Sequence, residues 1–222
     1  MDGGLMNLNW KVLAACALLA AVEIVPASET QGGDLAYFGA TTGGSTGATL
    51  WRYDATTNTT TSVEGVLEQV DSIAVDDTHA YTGIRVPGQG IIKRYAHAGG
   101  SQDIQLGLST VESLAVSDSR LYAALSADGG GLVKHYPKTA PFIHGGIDGD
   151  IELNLGAGKE LLISSDGNTL YTSLPNAGGG GIKKYNVTNP FCPAGSEFEF
   201  NQGSSKMHLD ETAGRLVAGF DG

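Results

Sequence analysis

The chain has 222 residues, a formal net charge of −11 and 33 glycines. At 41% hydrophobic and 17% charged it is too apolar for a disordered chain, and glycine this dense without a Gly-X-Y period signals many tight turns rather than collagen. Basic residues form no cluster beyond short pairs such as Lys183–Lys184, which excludes the cationic face that nucleic acid requires.

The first element in the chain reads as an address. Lys11 precedes an almost unbroken apolar run, Val12 to Val22, followed by Val25-Pro26-Ala27 and the polar Ser28-Glu29-Thr30. This pattern predicts a signal peptide over residues 1–27 and a secreted chain, extracellular or periplasmic. The run of 11 residues is too short for a membrane-spanning helix, which needs about 20, so no membrane span is expected in the mature chain. Leu13-Ala14-Ala15-Cys16 has the letters of a lipobox, but only Val12 separates it from Lys11. Losing Cys16 with the leader leaves Cys192 alone, with no internal disulfide. Cys192 is read as buried and inert, or else paired with another chain.

From residue 28 onward the chain repeats itself. Units lie near 34–65, 70–107, 111–156 and 160–203, and an incomplete one spans 206–222. Tyr37, Tyr81, Tyr122 and Tyr171 are 44, 41 and 49 residues apart; Tyr53, Tyr95, Tyr136 and Tyr185 are 42, 41 and 49 apart. Each full unit predicts four strands. Strand a is a short apolar run, as in Ile73-Ala74-Val75 and Leu114-Ala115-Val116, followed by an Asp-containing turn. Strand b carries the first tyrosine, and a Gly-rich hairpin leads to strand c, which ends in the second. Strand d alternates, as in Ile104-Gln105-Leu106 and Ile151-Glu152-Leu153.

A four-stranded sheet cannot bury both faces alone, and a period in the forties is the mark of propeller blades packed radially. The predicted fold is therefore an all-β propeller of four-stranded antiparallel blades, with four to five repeats present. The stop at Gly222, just after a b strand, predicts the N-terminal part of a longer propeller of six or seven blades; the alternative is a small ring of four or five. Gly178–Gly181 occupies the place of glycine runs in the other units and precedes no Lys-Ser or Lys-Thr, so it reads as a hairpin and not a phosphate loop.

Leu50-Trp51-Arg52-Tyr53-Asp54 and the phrase Ile163 to Tyr171 resemble blade phrases of the gluconolactonase family and of lactonase-type secreted propellers, over roughly residues 34–220. The resemblance implies a propeller and, as one functional alternative, a metal-dependent sugar-lactone hydrolase. That family's metal set includes a Glu from a Glu-Gly-Pro phrase. The nearest phrase here is Glu64-Gly65-Val66, and the family's Asn-Gly-Leu opening of strand a stands as Glu112-Ser113-Leu114, so the metal set does not carry over.

The residues themselves offer one constellation. Asp71, Glu112 and Glu160 open strand a in the three complete units, and equivalent blades would aim these carboxylates at one axis. Oxygen-rich acidic rings suit Ca²⁺ or another divalent cation; the competing reading is solvated acids, and Lys206 stands at that place in the fifth unit. The letters Gly-x-Ser-x-Gly occur once, from Gly43 to Gly47, in the Gly-rich hairpin between strands b and c and not at a strand-to-helix elbow, and His79, His97, His135, His144 and His208 are scattered. His135, Arg52, Arg94 and Lys184, each beside the strand-c tyrosine, read as surface charges that deter edge pairing. Asn58 and Asn186 head N-x-Thr sequons, which carry glycan in a eukaryotic host. The expected function is binding or scaffolding of a protein, small molecule or carbohydrate at the channel face, with lactone hydrolysis as the alternative.

Overall fold

The computed structural model describes residues 25–26, 35–41, 47–87, 89–105, 110–127, 130–138, 151–152, 159–174, 181–188, 195–199 and 204–220. The strands of the first sheet are β1 (Val25–Pro26), β2 (Leu35–Thr41), β3 (Ala48–Asp54) and β4 (Thr59–Leu67). The second holds β5 (Gln69–Val75), β6 (His79–Val86), β7 (Gln89–Ala96) and β8 (Ser101–Gln105). The third holds β9 (Thr110–Val116), β10 (Arg120–Ala127), β11 (Gly130–Pro137) and β12 (Ile151–Glu152). The fourth holds β13 (Leu161–Ile163), β14 (Thr169–Leu174), β15 (Gly181–Asn186) and β16 (Gly195–Glu199), and β17 (Ser204–Asp210) pairs with β18 (Arg215–Phe220). Each four-stranded sheet is an antiparallel meander in sequence order, with strand a at one edge and strand d at the other.

Strand a of the first unit is β1, Val25 pairing with Gly39 and Pro26 with Phe38. It lies within the segment read as the leader. A proline is tolerated there because an edge strand can do without one N–H.

The register repeats as closely as the sequence does. Tyr37 faces Arg52, Tyr81 faces Arg94, Tyr122 faces His135 and Tyr171 faces Lys184 across the b–c pair. The turn between strands a and b is held by short polar side chains. Asp76 Oδ1 accepts from the N–H groups of Thr78 and His79, both at 2.8 Å. At the equivalent turn of the fourth unit, Gly167 takes a positive φ of 69°.

Side chains alternate along each strand, and the alternation divides them between two gaps. Ala80 and Ile84 of β6 pack with Tyr37, Leu50 and Val70 toward the first unit. Tyr81, between them, packs with Val111, Leu121 and Tyr136 toward the third. Likewise Leu121, Ala123 and Leu125 of β10 face the second unit, while Tyr122 and Ala124 face Leu161, Leu170 and Tyr185 of the fourth. The core is thus a series of layers between consecutive sheets. The strand-b tyrosine of one unit shares each layer with the strand-c tyrosine of the next: Tyr37 with Tyr95, Tyr81 with Tyr136, Tyr122 with Tyr185. Strands a stand side by side, β5 against β9, β9 against β13 and β13 against β17.

Candidate functional site

Polar groups fasten the first two gaps. Arg52 Nη1 donates to the carbonyl of His97 at 2.9 Å, and Arg94 Nη1 donates to the carbonyl of Lys138 at 2.7 Å. Each arginine precedes the strand-c tyrosine of its own unit, and each acceptor lies two residues past that of the next. The acceptors' side chains return the clasp. His97 Nε2 lies 2.9 Å from the carbonyl of Asp76, and Nδ1 lies 2.8 Å from the Tyr37 hydroxyl, with the two rings stacked at 5.5 Å. A carbonyl only accepts, so Nε2 carries the hydrogen, and in the neutral ring Nδ1 accepts from Tyr37. Burial raises the Tyr37 pKa, and the Arg52 guanidinium beside it pulls the other way. In the next gap Lys138 Nζ sits 2.8 Å from Asp76 Oδ2 and donates to the Ser117 carbonyl at 2.8 Å.

These contacts correct the reading of Arg52, Arg94 and His135 as surface edge charges, whereas Lys184 is exposed as expected. Strand c is third in its sheet and not an edge, and alternation turns Arg94 and His135 into the gaps, where they are 8% and 2% exposed. Arg120 Nη1 donates to His135 Nδ1 at 2.5 Å, a partner in its own sheet.

A cleft of about 270 Å³ opens between the first two units. Its walls are Tyr37, Arg52, Thr61 and Ser62 on one side and Tyr95, His97 and the Gly99–Ser101 segment on the other. Arg52 Nε is buried there with no hydrogen-bond partner. Glu64 also lines the cleft, but its carboxylate is taken by Lys93 Nζ at 2.6 Å. The sequence reading passed over this site, although the basic position before the strand-c tyrosine was its signal.

Each acid of the expected cation ring meets a basic side chain. Asp71 Oδ2 lies 3.1 Å from Arg85 Nε, Glu112 Oε2 lies 3.1 Å from Lys159 Nζ, and Glu160 Oε1 lies 3.8 Å from Lys206 Nζ. Glu160 also accepts from the Met207 N–H. Among the described residues no three His, Cys, Asp or Glu side chains come together as a metal-holding group. Asn58 is exposed at the β3–β4 turn with φ 53°, accepting from the Tyr53 hydroxyl at 3.1 Å. Asn186 is exposed at the end of β15, accepting from Thr188 N and Oγ1. Cys16, Cys192, His144 and the leader apart from Val25–Pro26 lie outside the described residues.

No protein-family model matches the chain, and no curated protein does. Solved structures do. Hydrazine synthase from Kuenenia stuttgartiensis superposes with a TM-score of 0.58 at 15% identity, over 78% of this chain and 48% of that one. A structure from a mechanistic study of two prolyl endopeptidases gives 0.57 at 9% identity, over 81% and 26%. Kluyveromyces lactis Hsv2 gives 0.54 at 12% identity, over 83% and 56%. The fold is a β-propeller. The units are its blades, and the chain spans from about a quarter to just over half the length of these structures. At such identities the likeness establishes the fold and lends no support to the lactonase type.

Proposed function

We propose that this propeller is an exported binding or scaffold module. It engages a protein, small-molecule or carbohydrate ligand at the channel face and the adjoining loops. What supports this reading is the state of the strand-a acids: Asp71, Glu112 and Glu160 each have a cationic partner, from their own blade or the next. A carboxylate already ion-paired is a poor starting point for a metal-activated water, which needs an open position on a well-ligated ion. The export part of the reading rests on the apolar run Val12–Val22 and the Ala27 cleavage pattern.

Thermal melts with Ca²⁺, Mg²⁺ and Zn²⁺, run beside a hydrolysis assay on sugar lactones, test it. A binding module keeps one midpoint in all three ions and opens no lactone. A metal bound only by the folded state adds about 2.7 kcal/mol at 100 times its Kd. A clear rise with one ion together with lactone opening would overturn the proposal.

A further inference from the structure

The repeat supplies its own control for the cleft between the first two blades. Arg52 and Arg94 are equivalent: each precedes the strand-c tyrosine, each faces the strand-b tyrosine in register, and each donates Nη1 to the next blade's backbone. They differ in what strand d places opposite. Arg94 pairs in register with Gln102, whose side-chain Oε1 accepts from Arg94 Nη2. Arg52 pairs with Thr61, whose side chain is too short to do the same. At that place Arg52 Nε is buried without an acceptor, and the cleft opens.

We infer that this cleft binds a small carboxylate-bearing ligand, one of whose oxygens supplies an acceptor to Arg52 Nε, where Gln102 supplies one to Nη2 of Arg94. The inference deepens the binding-module reading and rests on it. Three features select the chemistry. Arg52 Nε lacks an acceptor, and a guanidinium recognises a planar carboxylate through paired hydrogen bonds. No carboxylate among the described residues lies within ion-pairing distance of Arg52, and the two nearby acids are engaged: Glu64 by Lys93, and Asp54 by the N–H groups of Thr56 and Thr57. The walls also offer the hydroxyls of Thr61 and Ser62 and the rings of Tyr37 and Tyr95. Hydroxyls and aromatic rings suit a sugar acid, and about 270 Å³ lies just under the range typical of drug-sized ligands.

The test uses the full chain, glucuronate, glucose and acetate, read by calorimetric titration and by the melting midpoint. Glucuronate is expected to bind and raise the midpoint, with glucose at least tenfold weaker. Acetate binding as tightly as glucuronate would still support carboxylate recognition and would show that the ring adds nothing. Thr61→Gln, which copies the second blade, should fill the cleft and weaken glucuronate at least tenfold while keeping a cooperative melt. Arg52→Lys, which keeps the charge and loses the fork, should weaken it similarly. Equal binding of glucose and glucuronate, no binding of either acid, or full binding by a folded Thr61→Gln would each overturn the inference. Such a failure leaves the binding-module reading standing, because the ion and lactone measurements test that separately.

Discussion

Lys138 of the third blade holds its ammonium 2.8 Å from the carboxylate of Asp76 in the second, and both side chains are largely buried. Asp76 also accepts from the Tyr81 hydroxyl at 2.9 Å, so the strand-b tyrosine, the turn and the next blade share one carboxylate. Burial by itself would raise the Asp76 pKa. The Lys138 ammonium and the N–H groups of Thr78 and His79 outweigh it and hold this carboxyl well below the usual range.

Asp76→Asn is therefore expected to lower stability by about 2–4 kcal/mol at neutral pH, since it leaves a partly buried ammonium without its partner. The pH dependence has a definite sign. A depressed folded pKa means stability present above the unfolded value of 3.8 and lost as pH falls below it toward the folded pKa. Urea melts from pH 6 down to pH 2 check this: wild type should lose stability steeply below about pH 4, and the variant should lose less. Equal slopes would remove Asp76 from the account.

Glu160 should behave in the opposite sense. Burial raises its pKa, while the Met207 N–H and Lys206 pull it down less strongly. A raised folded pKa contributes stability that is present below the unfolded value of 4.5 and is lost as pH rises through the folded pKa. Glu160→Gln keeps an acceptor for Met207 and sheds the charge. Its expected stability at pH 7 is equal to wild type or slightly higher, with a flatter profile just above pH 4.5. A large loss at pH 7 would mean that the pair with Lys206 dominates.

Gly83 sits where two blades approach closely. A Cβ there would sit 2.5 Å from Val111 Cγ1 and 2.7 Å from Val111 Cβ. Gly39 stands in the same relation to Val70, at 3.2 Å. Gly83→Ala should cost about 1–3 kcal/mol through overpacking, measurable as a lower denaturation midpoint. Pairing it with Val111→Gly, which removes both contacting atoms, should recover part of that loss, which a purely local strand effect would not allow.

Ser113 Oγ accepts from the N–H of Leu161 at 3.0 Å, and Ser72 Oγ accepts from the N–H of Leu114 at 2.8 Å. Both serines follow the strand-a acid and reach into the next blade. In the fourth blade Leu161 follows the acid, and the carboxylate of Glu160 makes the corresponding bond to Met207. Ser113→Ala leaves a buried N–H unsatisfied and should cost about 1–3 kcal/mol. Hydrogen exchange at Leu161 provides the local readout: protection there should fall more than at Leu170 in the neighbouring strand.

Strand content, the order of strands within each unit and the propeller class were all readable along the chain. They depend on local signals: period-two alternation, Asp and Gly turns, and tyrosines recurring every forty-odd residues. The identical b–c registers follow from the same repetition. What each side chain meets across a gap could not be read, because the partner lies about forty residues away on another sheet. The strand-a acids look like a ring of ligands in sequence, yet folding supplies a cation to each of them. The arginines beside the strand-c tyrosines look like solvated charges, yet the pleat directs them into the blade interface. The contrast between Arg52 and Arg94 comes from Thr61 and Gln102 standing at one register position, and that position exists only once strand d has paired with strand c.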